Sequence, residues 1–139
     1  MSAITIQRYV LVFAAVAALT GLAAGCDGSE VLVSRIRGDY SGSFTYVVND
    51  QPYQESWTVM LDEGQDGTVF GSGSQGSEPV EVTGSHDHPD VSLDFLSDND
   101  GYIGTLAGSV TDDGTLIEGR YNFSIVFVNI PVSLRKASK

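Results

Sequence analysis

The sequence predicts an all-β domain, a single small antiparallel up-and-down β-barrel of about eight strands. Three observations point there. From Gly38 onward, apolar and polar residues alternate with period two, and no segment after Cys26 has helical spacing. Short clusters of Gly, Asp, Asn, Pro and Ser punctuate the alternation at close, regular intervals. Glycine also recurs inside the alternating segments, at Gly42, Gly71, Gly84, Gly104, Gly108 and Gly119. Glycine normally weakens a strand, but small barrels use it for sharp bends and set it opposite large aromatics. Eight strands suffice to close a sheet on itself, either filled by side chains or holding one small ligand. A two-sheet β-sandwich is the alternative arrangement.

The first strand places Tyr40, Gly42, Phe44, Tyr46 and Val48 on one face, and Asn49-Asp50-Gln51-Pro52 supplies a turn. The second groups Tyr53, Glu55, Trp57, Val59 and Leu61, and Glu63-Gly64-Gln65-Asp66-Gly67 leads to a short strand over Thr68–Ser74. A fourth strand over Glu78–Ser85 carries Val80, Val82 and Gly84, before His86-Asp87-His88-Pro89 breaks the pattern. Val91, Leu93 and Phe95 mark the fifth strand, and Ser97-Asp98-Asn99-Asp100-Gly101 a hairpin turn. Tyr102, Gly104, Leu106, Gly108 and Val110 form one face of the sixth. The seventh runs from Thr115 to about Phe123 after Asp112-Asp113-Gly114. The last spans about Ser124–Arg135, alternating Val126, Val128, Ile130, Val132 and Leu134. Pro131 lacks an N–H, so this strand needs a free edge or bulge beside it. Asp66-Gly67-Thr68 and Asp113-Gly114-Thr115 echo one another, which shared turn chemistry explains without a duplication.

Upstream of the strands, Arg8 precedes an apolar run from Tyr9 to Ala24, too short for a membrane-spanning helix. It ends in Leu22-Ala23-Ala24-Gly25-Cys26, where Cys26 is the only cysteine. This resembles the lipobox of bacterial lipoproteins, although those favour Leu three residues before the cysteine and this chain has Ala23. The resemblance covers the leader alone. It implies a helical signal peptide cut between Gly25 and Cys26, with a diacylglyceryl thioether on Cys26 and usually an acylated new N-terminus. Two or more acyl chains anchor stably where one binds marginally. The rival reading is an ordinary secretory signal with Cys26 left as a free thiol. Asp27 occupies the place that retains enteric lipoproteins in the inner membrane, a rule other lineages do not follow, so inner and outer membrane both stay open. The expected organisation is a signal peptide over 1–25, a lipidated tether over 26–36, a barrel over 37–135 and a tail over 136–139.

Residues 1–25 hold one charge, Arg8, so the remaining 6 basic and 18 acidic residues give the mature chain a net charge of −12. That balance excludes nucleic acid, which needs clustered Lys and Arg, and excludes an electrostatic hold on anionic lipid. Any membrane attachment must then be covalent or apolar. With one cysteine there is no disulfide, so strand pairing and aromatic packing must hold a domain of this size together.

Gly38-Asp39-Tyr40 lies where lipocalins carry Gly-x-Trp on the first strand, with Tyr replacing Trp. In this the mature domain looks like a distant relative of the lipocalin and avidin style of barrels. The resemblance rests on three residues and on architecture, and it implies a small apolar or amphipathic ligand within the barrel.

No catalytic constellation stands out. His86-Asp87-His88 has donors suited to zinc or copper, with Asp90, Glu81 or Asp94 as further candidates, but adjacent loop residues rarely complete a site of about four ligands. The ordinary reading is a polar turn closed by Pro89. Asp98-Asn99-Asp100-Gly101 begins like a calcium loop but lacks the required Glu, since Ala107 sits there. Gly71-Ser72-Gly73-Ser74 is not a nucleophile elbow. Glu55 and Glu118 are candidates for acid–base work, though a solvent-facing role or pairing with Arg120 is simpler. Tyr40, Tyr46, Trp57 and Tyr102 are candidates to stack a ligand ring, against the commoner role of strand aromatics as core. The expectation is therefore a non-enzymatic, lipid-anchored lipoprotein of the bacterial cell envelope, with no cofactor beyond the lipid. Its barrel would hold a small apolar ligand or, filled, recruit an envelope protein.

Overall fold

A computed structural model describes residues 33–99, 101–123, 126–127 and 129–138. The leader, the Gly25/Cys26 cleavage point and the start of the tether lie outside the described residues, as do Asp100, Ser124, Ile125 and Val128. The described chain forms eight strands: β1 (Gly38–Val48), β2 (Gln51–Glu63), β3 (Thr68–Gln75), β4 (Glu78–Asp87), β5 (Asp90–Ser97), β6 (Gly101–Val110), β7 (Leu116–Asn122) and β8 (Ile130–Lys136). Each pairs antiparallel with the next, and β8 pairs with β1, closing the barrel.

The alternation that marks the strands in sequence also sorts their faces. Tyr40, Phe44, Trp57, Val59, Leu61, Val69, Val82, Leu93, Phe95, Leu106, Ile117, Tyr121 and Leu134 are buried inside. Ser41, Ser43, Thr45 and Thr58 face out. Apolar-in and polar-out is the inverse of a membrane-spanning barrel. Four of the six in-strand glycines singled out in the sequence sit opposite large inward residues: Gly42 faces Trp57, Gly71 faces Leu61, Gly84 faces Leu93 and Gly104 faces Phe95, whereas Gly108 and Gly119 pair with each other. That placement makes room in a narrow interior.

Three boundaries depart from the sequence reading. The first turn is only Asn49-Asp50, both with positive φ, so Gln51 and Pro52 join β2. Asn and Asp tolerate this left-handed geometry, which two-residue hairpin turns demand. The fourth strand continues through His86 to Asp87, where Asp87 pairs with Asp90. The last strand begins at Ile130 rather than near Ser124. Asn129, at φ 58°, breaks the extended backbone, and Val126 is exposed in a bend.

Pro131 finds its predicted free edge. The β1–β8 ladder spans only Tyr40–Ser43 against Ser133–Lys136, so Pro131 lies past its end and needs no N–H toward β1.

Candidate functional site

The barrel has two chemically different ends. At one, the turns after β1, β3, β5 and β7 surround an aromatic mouth. At the other, the chain enters β1 and leaves β8, and Glu63, Asp112 and both histidines gather there.

The interior between them is occupied by rings. Trp57 stacks on Phe95 with centroids 4.4 Å apart, Tyr121 meets Trp57 edge-on at 4.5 Å, and Phe44 lies 5.1 Å from Trp57. Their polar atoms are answered from within. Gln75, itself buried, accepts from Trp57 Nε1 at 3.0 Å and from the Tyr121 hydroxyl at 2.9 Å. Its own amide donates to Glu55 at 3.1 Å, and Glu55 accepts from the Tyr46 hydroxyl at 3.0 Å. Burial and the Glu55 carboxylate raise the Tyr46 pKa, and burial raises that of Tyr121. Both phenols therefore stay protonated, as donors must. Glu55 belongs to this network on the inner side of the mouth, whereas Glu118 is exposed on the outer wall with Ser133 Oγ at 3.4 Å. The two carboxylates do not meet, and Arg120 turns to the Asn129 carbonyl instead.

The four aromatic candidates for ligand stacking separate. Trp57 is wholly buried among the rings just described. Tyr40 is wholly buried near the other end, its hydroxyl donating to the Gly114 carbonyl at 2.5 Å. Tyr46 lines the mouth, stacked on Tyr53 at 5.7 Å and edge-on to Phe127 at 5.0 Å. Tyr102 is on the outer wall, 60% exposed, its hydroxyl bonded to Thr105 Oγ1. A β-bulge causes this: Phe95 pairs with Gly104 but Leu96 with Tyr102, so Ile103 is the extra residue. The inserted residue turns Ile103 toward the core and flips Tyr102 outward.

At the opposite end, residues 33–37 pack across the barrel rather than trailing from it. The Ser34 amide donates to the Asp112 carbonyl, Ile36 is wholly buried, and the Ile36 amide donates to Glu63 Oε2 at 2.7 Å. The same Glu63 oxygen lies 2.8 Å from His86 Nδ1, with both side chains almost completely buried. His88 Nε2 lies 2.9 Å from Asp112 Oδ1. Of the companions considered from sequence, Asp94 bonds Thr105, and Asp90 and Glu81 are exposed; none joins the histidines. Glu63 and Asp112 do. Glu63 carried a signal in sequence, since it continues the inward series Trp57, Val59, Leu61.

The echo also holds in detail. Asp66 Oδ1 and Asp113 Oδ1 each accept the amide of the Thr two residues on, at 3.0 Å, and Gly67 and Gly114 both have positive φ. At the mouth, Ser97 Oγ caps the Asn99 amide and bonds Glu78, so the turn is held by protein groups. Among the described residues no group of three or more His, Cys, Asp and Glu side chains is arranged to hold a metal ion. Comparison with protein-family models, with curated proteins and with solved structures finds no match.

Proposed function

We propose that this chain is a lipid-anchored lipoprotein of the bacterial cell envelope and that its filled barrel is a non-enzymatic interaction module. The observation that carries the second half is the ring stack of Trp57, Phe95, Tyr121 and Phe44, which occupies the space an internal ligand would need. The anchoring half rests on Leu22-Ala23-Ala24-Gly25-Cys26 and on an acidic chain that cannot adhere to anionic lipid by charge.

The working surface in this reading is the mouth. Tyr53 is 49% exposed there and Val126 72%, beside the half-buried Tyr46 and Phe127. Exposed aromatics of this kind anchor protein interfaces. Asp50 and Asp98 lie in the turns around them, so the fitting partner is an envelope protein with an apolar patch bordered by basic side chains. The mouth lies at the end of the barrel opposite residues 33–37, where the chain enters β1.

A photo-crosslinking residue at position 53, expressed in the native host, tests this against the same residue at position 70, where Phe70 is equally exposed on the outer wall. One protein captured from position 53 alone is the expected result. Equal capture from both positions overturns the mouth as the surface. A small apolar molecule carried inside the purified barrel, read by native mass spectrometry, overturns the filled module.

A further inference from the structure

The two histidines of this chain are its only ones, and they stand two residues apart. The fold buries the His86 pair more deeply than the His88 pair but partners both rings in the same way. Each has a carboxylate on one ring nitrogen: Glu63 on His86 Nδ1 at 2.8 Å, Asp112 on His88 Nε2 at 2.9 Å. A carboxylate can only accept, so the facing nitrogen carries the proton and, in the neutral ring, the other presents a bare lone pair. Those other nitrogens, His86 Nε2 and His88 Nδ1, are both buried and have no hydrogen-bond partner among the described residues. Buried polar nitrogens are ordinarily satisfied, and two orphans on neighbouring rings call for an explanation.

From this geometry we infer that His86 and His88 form a two-imidazole site for a divalent cation of the kind imidazole prefers, copper or zinc. Metal-binding histidines typically have a carboxylate holding the second nitrogen, which fixes the tautomer and strengthens the donor. The ring centroids are 5.7 Å apart. Metal–nitrogen bonds of about 2.0–2.1 Å put two imidazoles on one ion roughly 5–6 Å apart, centre to centre. The rings border a cleft of about 350 Å³ that Glu63, Asp66 and Asp87 also line, with Arg35 as its positive group. The protein supplies two donors, so the remaining positions of the ion belong to water or to an incoming ligand. Two donors are fewer than the four of a closed structural site.

The test is a titration of the untagged protein, purified in detergent, with CuCl₂ or ZnCl₂, repeated on Cys26→Ser so that no unmodified thiol competes. One equivalent should bind, and the copper EPR spectrum should show coupling to two imidazole nitrogens. His88→Ala should leave one nitrogen and weaken binding by at least about tenfold. Asp112→Asn, at a carboxylate that is 78% exposed, should weaken it by about 10–100-fold with an unchanged melting temperature. Failure to saturate, or a two-nitrogen signal that survives His88→Ala, overturns the site. Neither result bears on the mouth or on the lipid.

Discussion

At the scale of single residues, the interior is specified by pairs of very large and very small side chains. Gly42 lies opposite Trp57 on one neighbouring strand and Leu134 on the other. A Cβ there would stand 2.1 Å from the Ser133 carbonyl oxygen and 3.0 Å from Leu134 Cδ2, and the nearer obstacle is backbone. Gly42→Ala should therefore cost about 1–3 kcal/mol, as overpacking does, and lower the midpoint of a urea melt. Trp57→Ala removes the ring at the centre of the stack and should cost about 3–5 kcal/mol in the same measurement. Gln75→Leu keeps the bulk but orphans Trp57 Nε1 and the Tyr121 hydroxyl, at about 1–3 kcal/mol for each buried donor. Asp113 gives a pH signature. Hydrogen bonds from the Thr111 and Thr115 side chains and the Thr115 amide hold its carboxyl down to about 2. A carboxyl depressed in the folded state stabilises above its unfolded pKa, near 3.9, and that contribution disappears as pH falls through the folded value. Stability should thus decline between about pH 4 and 2, and Asp113→Asn should flatten that part of a melting-temperature profile.

Among the elements, the weak place is the closure. The β1–β2 ladder runs the whole length of β1, whereas β8 covers only Tyr40–Ser43. Amides of the β1–β8 ladder should exchange with deuterium at least about tenfold faster than those between β4 and β5, because local opening follows the shortest run of pairing. The strands and their inward faces were legible because a half-buried sheet enforces period two on its residues. Sequence reading slipped where turn-forming residues stay in a strand, as Gln51-Pro52 and His86-Asp87 do, and where the period is interrupted without a turn signal. Nothing in Tyr102-Ile103-Gly104 announces that Ile103 is the extra residue of a bulge, so Tyr102 reads as inward until the pairing with Leu96 is known. Val126 and Val128 extend the alternation of β8 upstream, and only the left-handed Asn129 stops it. The histidine motif was equally visible, but its partners Glu63 and Asp112 lie 23 and 24 residues away and are brought up by strand register.

For the molecule as a whole, the closed sheet divides the surface into an aromatic end, a charged end and a polar wall. Under the proposed anchoring, Cys26→Ser should move the protein from the membrane fraction to the soluble fraction of the host, read by immunoblot, with no change in the far-ultraviolet circular dichroism of the barrel. Under that reading the substitution removes the acceptor of the lipid, in the segment before the strands.

The hydrogen bond from the Ala137 amide to the Asp39 carbonyl, at 2.8 Å, places the entrance of the first strand and the exit of the last on one rim. Cargo fused to the C-terminus would therefore start on the rim where the chain enters β1. The hairpin at Gly76-Ser77 offers the opposite pole, since a Cβ added at Gly76 meets no atom within 4 Å. A fluorescent domain inserted there would hang outward, leaving the crowded rim as it is.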